Sequence, residues 1–194
     1  MTGSRPLTQA GAVRAALTRA WFSWRTPVVP DRLTVSTPSP GELWLWRLDR
    51  VRDTLEQARA VLETQGWTSG AWFAVTTASG EPRLVSTREA LALRDPRREV
   101  AGACLVGALV RLADDPDTAV SVTDVWGCVD ELYEAMHEQL GHASFPPGRS
   151  YSYEQRRGHL QALTAWNDAP GRTRGQVVDL FDRAVARNMV AACS

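Results

Sequence analysis

From Val100 to Val110 the chain has eleven consecutive residues without a charge on any face. A segment of that kind has to be surrounded by protein, so whatever fold the chain takes must be built around it. Asp95-Pro96 just upstream reads as an N-cap followed by a first-turn proline. The pattern therefore predicts a central helix from that point to about Ala113, with Cys104 two turns inside it. Gly102, Ala103, Gly107 and Ala108 are poor helix formers or small. Their place in such a helix is to let a neighbour approach closely.

The elements that would wrap this segment are also helical. Trp44, Leu48, Val51, Leu55, Ala58 and Leu62 trace one apolar stripe over Glu42 to Gln65, and Gly66 stands where a left-handed cap is wanted. Val125, Val129, Leu132, Met136 and Leu140 do the same for a helix from about Asp124, ended by Gly141. Ser152 with Gln155, and Thr173 with Gln176, are capping boxes for a helix over 153 to 166 and for one carrying Val177, Leu180, Phe181, Ala184 and Val185. Between Ala71 and Ser86 the chain is β-prone and broken by Ala78-Ser79-Gly80, a short hairpin. Ser86 and Glu89 open a short helix ending near Arg94. The expected fold is mainly α, a compact bundle of about five or six helices with that hairpin.

Three stretches divide the chain. Residues 1–25 form a basic amphipathic segment, with Val13, Leu17, Trp21 and Trp24 at helical spacing and no acidic residue before Asp31. Residues 26–41 hold Pro27, Pro30, Pro38 and Pro40 and read as a linker. Residues 42–194 are the compact helical domain.

Composition removes several chemistries. The chain has no lysine and no isoleucine, and asparagine only at 167 and 188. That bias points to a high-GC genome of the actinobacterial kind. It also excludes Schiff-base catalysis, a pyridoxal-phosphate lysine and a Walker-type phosphate lysine. The 22 basic and 22 acidic residues cancel, so no global field draws the protein to nucleic acid. No run is long enough to span a bilayer and no secretory signal is evident. Cys104, Cys128 and Cys193 are an odd set without close spacing, as expected of reduced thiols in the cytoplasm.

Polar chemistry is sparse. His137 and His142 are five apart, which on a helix separates them by about 140°, so they do not make a zinc site of the H-E-x-x-H kind and no metal or cofactor is expected. His137 suits a helix C-terminus as a charge–dipole placement. Cys104, His159 and Asn167 or Asp168 follow the chain order of a papain-like thiol enzyme, but a cysteine deep in an apolar helix is inert. Trp166, Asn167, Asp168 and Arg172 are the densest polar cluster. Pro170-Gly171 fits the centre of a type II turn, with Asp168 and Arg172 placed to pair across it. Those four residues are the candidate ligand-binding site and also a well-made helix–helix corner. Trp44 and Trp46, two apart, cannot both face one core, so one of them belongs to a contact surface.

Gly66-Trp67-x-x-Gly70, Cys104-x-x-Gly107-Ala108-Leu109 and Trp166-Asn167-Asp168-x-Pro170-x-Arg172-Thr173, followed by Val177 and Asp182-Arg183-Ala184, resemble an actinobacterial and phage-borne family of unknown function. The resemblance covers roughly residues 45 to 187. It implies a small helical domain with no established activity, cofactor or catalytic residue. The N-terminal segment and linker look like additions to it, and the stretch from Leu140 to Tyr153 like an insert. The expected function is a non-enzymatic helical module that binds a protein or small-molecule ligand. The alternatives are a thiol-dependent hydrolase or transferase using Cys104, His159 and Asp168, and a basic N-terminal arm touching nucleic acid or anionic lipid.

Overall fold

The computed structural model describes residues 38–90 and 100–193. The basic segment, most of the linker and the Asp95-Pro96 cap lie outside these residues. In order the elements are α1 (Pro40–Gln65), β1 (Phe73–Thr76), β2 (Pro82–Val85), the single turn α2 (Thr87–Ala90), β3 (Val100–Ala103), α3 (Leu105–Asp114), α4 (Val122–Gln139), α5 (Tyr153–Asn167) and α6 (Arg174–Ala192). The chain is mainly helical, with a three-stranded antiparallel sheet in the order β2-β1-β3.

The uncharged run does not form one helix. Its first four residues are β3, paired with β1 so that Phe73 faces Ala103 and Ala74 faces Gly102. Cys104 is the N-cap of α3. A strand covered on both sides and a helix covered on all sides are equally uncharged, and periodicity does not separate them. The small side chains decide it. Against Gly102 lie the backbone atoms of Gly66 and Trp67, and Gly66 O accepts from Ala103 N at 3.1 Å. The remainder behaves as expected: every residue of α3 from Leu105 to Leu112 is buried, Arg111 included.

Against α3 pack α1, α4 and α5, and α6 packs in turn on α1 and α4. Four of the helices open on reciprocal capping boxes, Ser39/Glu42, Ser121/Asp124, Ser152/Gln155 and Thr173/Gln176, which satisfy amides that have no partner within the helix. The first box moves the linker boundary, because Pro40 and Gly41 already belong to α1. The α1 stripe is buried from Leu48 to Leu62, but Trp44 leaves the core. Gly66 has the expected positive φ, 99°, with ψ at 163°, so it does not coil back as a left-handed cap. It turns α1 directly into an extended segment along β3. Arg174 Nη2 donates to Glu63 O at 2.7 Å and Arg59 Nε meets Asp182 Oδ1 at 2.9 Å, so α1 and α6 run antiparallel.

Arg50 fastens α1 to the start of α4. Its Nη2 donates to Asp124 Oδ2 at 2.6 Å and also to Ala119 O. Burial pushes the Asp124 carboxyl upward, but the Arg50 hydrogen bond and those from Ser121 outweigh it and hold the group below its ordinary value. A carboxyl depressed in the folded state stabilises the fold above its unfolded pKa, and that contribution is lost as pH falls through the folded value. Asp124→Asn is therefore expected to lower stability at pH 7 by about 1–3 kcal/mol. Urea unfolding across pH should show the gap between wild type and variant closing below about pH 4. A gap that does not change with pH would mean that the carboxylate charge contributes nothing.

Candidate functional site

The Trp166–Thr173 corner is built by the end of α5, a tight turn and the start of α6. Arg172 N donates to Ala169 O at 3.1 Å and Gly171 sits at φ 78°, the geometry expected of Pro170-Gly171. Asn167 is fully buried. Its Oδ1 accepts from Trp67 Nε1 at 2.9 Å and from Leu105 N at 3.2 Å. Its Nδ2 donates to Thr68 O at 3.3 Å and to Asp168 Oδ1 at 2.8 Å. All four hydrogen-bonding positions of the amide are used within the protein.

Asp168 and Arg172 do not pair across the turn. Asp168 Oδ1 accepts from Gly70 N at 2.9 Å, while Arg172 Nε donates to Trp166 O at 3.0 Å. The Arg172 guanidinium lies 3.7 Å from the Trp166 ring centroid, a cation–π placement that competes well with an exposed ion pair. The corner thus brings all three quoted motifs together. The 66–70 segment, the start of α3 and the start of the last motif meet at Asn167. Gly107 belongs to the same fitting, since a Cβ there would fall 2.1 Å from Trp72 O.

The thiol constellation is not assembled. Cys104 sits at the helix start, the place where a thiol is normally activated, but its Sγ accepts from Gly107 N at 3.2 Å and caps the helix. Burial pushes the thiol up to about 12. His159 lies eight residues before Asn167 on α5, about 12 Å along the axis, and its Nδ1 is 3.0 Å from Asp130 Oδ1. Asp168, as described, is turned to Gly70.

Sequence reasoning missed the polar face of α4. Asp130, Glu131 and Glu134 are all buried there. Asp130 Oδ2 accepts from Arg156 Nε at 2.9 Å, Glu131 Oε1 from Gly148 N at 3.0 Å and Glu134 Oε2 from Phe145 N at 2.8 Å. Glu134 also takes the Tyr151 hydroxyl, and burial followed by this bond raises the Tyr151 pKa. Burial likewise raises the Glu131 carboxyl, with Arg187 Nε 3.7 Å from its second oxygen. Glu131 and Glu134 pin the insert between α4 and α5, while Asp130 holds α5 itself through Arg156 and His159. The available signal was their spacing, 130, 131 and 134 on one helical face, together with Arg156 and Arg187 elsewhere.

A row of rings runs along the same region. Centroid separations are 5.2 Å for His142–His137, 4.3 Å for His137–Tyr133, 3.8 Å for Tyr133–His159 and 4.7 Å for His159–Tyr151. It contains all three histidines of the chain. His137 stands in the last turn of α4. Among the described residues no group of three or more His, Cys, Asp and Glu is placed to hold a metal, and no helix is long and apolar enough to cross a membrane.

One end of the bundle is apolar instead. Leu43, Trp44, Leu45 and Trp46, the early turns of α1, are 50, 37, 40 and 63% exposed. Beside them lies the pinned insert, where a Cβ on Gly148 would meet Trp44 Nε1 at 2.6 Å, and Phe145 is itself half exposed. Trp46 is the more open of the pair, while Trp44 rests its indole against Gly148.

Two outcomes follow from the corner and the thiols. Asn167→Ala strands the Trp67 indole N–H and the Leu105 amide and is expected to cost about 3 kcal/mol in urea unfolding. A cost below about 1 kcal/mol would contradict the junction. Iodoacetamide at neutral pH should modify the exposed Cys193 quickly and reach Cys104 and Cys128 only on unfolding. Rapid native labelling of Cys104 would restore the thiol reading.

No curated protein and no solved structure matches the chain. A family match covers residues 47–187, spanning α1 to α6 and all three motifs that meet at Asn167; the chain belongs to the family of unknown function DUF6197.

Proposed function

We propose that this protein is a non-enzymatic helical interaction module, acting in the cytoplasm, whose contact surface is the apolar end of the bundle. The observation that carries the reading is the run Leu43–Trp46, four consecutive large apolar residues exposed at the start of a helix whose apolar stripe is buried from Leu48 onward. Tryptophan is enriched at binding hot spots, and contiguous exposed apolar surface marks contact sites.

The four residues expected to hold a ligand, Trp166, Asn167, Asp168 and Arg172, act in this reading as the joint of the scaffold. Support comes from the use of their polar atoms on Trp67, Thr68, Gly70, Leu105 and the Trp166 carbonyl. The partner is a protein segment with an apolar stripe and basic flanks. That chemistry matches the outer face of α1, where Glu42, Asp49, Asp53 and Glu56 are exposed around Trp46. The three unpaired cysteines support a reducing compartment. The lack of lysine and isoleucine supports a high-GC, actinobacterial source.

A photoreactive residue placed at position 46, 168 or 154 in living cells tests this. Adducts to protein segments are expected from position 46, with the exposed Glu154 site as the control. Adducts from 168 instead would return the contact to the corner, and no adducts from 46 would remove the apolar end as a contact surface.

A further inference from the structure

We infer that Glu131 is a proton-operated latch on the insert between α4 and α5. With its carboxyl protonated the insert is seated against Trp44, and on ionisation the free oxygen draws Arg187 off the insert. In that way the proton controls the proposed contact surface, a use that rests on the reading above.

Hydrogen bonding sets Glu131 apart from its neighbours on α4. Glu134 uses both oxygens as acceptors, Oε2 from Phe145 N at 2.8 Å and Oε1 from the Tyr151 hydroxyl. Asp130 does likewise, with Arg156 Nε 2.9 Å from Oδ2 and His159 Nδ1 3.0 Å from Oδ1. Glu131 uses one. Its Oε1 accepts from Gly148 N at 3.0 Å, while Oε2 is buried with no hydrogen-bond partner among the described residues. A protonated carboxyl keeps the Gly148 bond through its carbonyl oxygen, and a buried orphan O–H costs far less than a buried orphan O⁻.

The charges around it act in the same sense. Asp130, Glu131, Glu134 and Glu138 follow one another along α4, and the guanidinium groups that meet them are Arg156 of α5 and Arg187 of α6. Asp130 already engages Arg156, and Glu138 engages Arg187. Arg149 of the insert is exposed and lies over the Phe145 and Tyr151 rings. From α1, uncharged Trp44 and Leu48 meet the insert at Gly148. Burial pushes the Glu131 carboxyl up, the Gly148 bond and Arg187 pull it down, and Asp130 and Glu134 push it up again; the balance lies above the ordinary value.

Arg187 is the moving part. Its Nη1 meets Glu138 and donates to Ser144 Oγ at 3.1 Å, and its Nη2 donates to Phe145 O at 2.6 Å. Its Nε, buried and without a hydrogen-bond partner among the described residues, lies 3.7 Å from Glu131 Oε2. An ionised Oε2 attracts that N–H, and closing the gap to about 2.8 Å turns the guanidinium away from Ser144 and Phe145. Phe145 and Gly148, whose backbone lies against the Trp44 indole, are then released together. Because the carboxyl is raised in the folded state, the stability it contributes is full at low pH and is lost as pH rises through the folded value.

NMR titration of the full-length protein, labelled with 13C at glutamate Cδ, tests this directly. Glu131 Cδ, assigned by its loss in Glu131→Gln, is expected to titrate at higher pH than that of the exposed Glu81. The Phe145 amide, which is bonded to Glu134, and the Trp44 indole N–H should shift with the same midpoint. In Glu131→Gln both should stay at their low-pH positions across that range. A Glu131 carbon that titrates with Glu81 or below it would overturn the inference. A higher midpoint that the Phe145 amide and the Trp44 indole do not follow would overturn it too, since the proton would then be held without moving the insert. Either result leaves the in-cell adducts from position 46 to decide separately whether the apolar end is a contact surface.

Discussion

Asn167 is fully buried, and its amide joins segments that lie 62, 99 and 100 residues away along the chain. A buried amide with an unmade hydrogen bond costs about 1–3 kcal/mol. The Trp67 loop, the start of α3 and the end of α5 therefore have to arrive together or not at all. The other features of that end of the molecule conform to this constraint. Gly66 leaves α1 in extended form so that Trp67 can reach Asn167, and Gly107 lacks a side chain where Trp72 O passes. Cys104 caps α3 in place of the usual oxygen. Elsewhere in the bundle α4 fastens its loop by two buried carboxylates, Glu131 and Glu134, and fastens α5 by a third, Asp130. The scaffold is thus closed by polar joints at two places, around a helix with no free face.

Much of this was legible. Capping boxes are local, so Ser152/Gln155 and Thr173/Gln176 could be read from four residues each, and the hairpin turn at Ala78-Ser79-Gly80 likewise. What could not be read was long-range. Val100–Ala103 differs from a buried helix only in its pairing with Phe73 and Ala74, which no local pattern contains. Asp168 and Arg172 were close enough in sequence to suggest a pair, yet Gly70 and the Trp166 indole, supplied by the fold, were better partners. Asp130, Glu131 and Glu134 look like a solvated face until Arg156, Arg187 and the insert close over them. Trp166, Asn167, Asp168 and Arg172 do share one corner, and the polar contacts described there are made within the fold.

That division bears on function. Polar residues that are fully engaged with one another make a poor receptor but a rigid frame, and a rigid frame presents exposed residues in fixed positions. The apolar end, with Leu43–Trp46 on a capped helix and Phe145 on a loop pinned by Glu134, is presented in that way. Trp46 there lies under Arg50 and Phe145 under Arg149, and both rings stay at least half exposed. The contact surface proposed above would give the exposed Trp46 and the firmly held adjoining loop a common use.

The scaffold depends most on a closed Asn167 junction, and the Trp67 indole reports on it directly. Its Nε1 proton can be followed by NMR hydrogen exchange alongside the other indoles. The account requires it to exchange only through global unfolding, with a protection free energy matching that from urea denaturation. Exchange of the Trp67 indole as fast as that of the exposed Trp46 would show the junction open in solution. The corner would then be free to bind a ligand, contrary to the account given above.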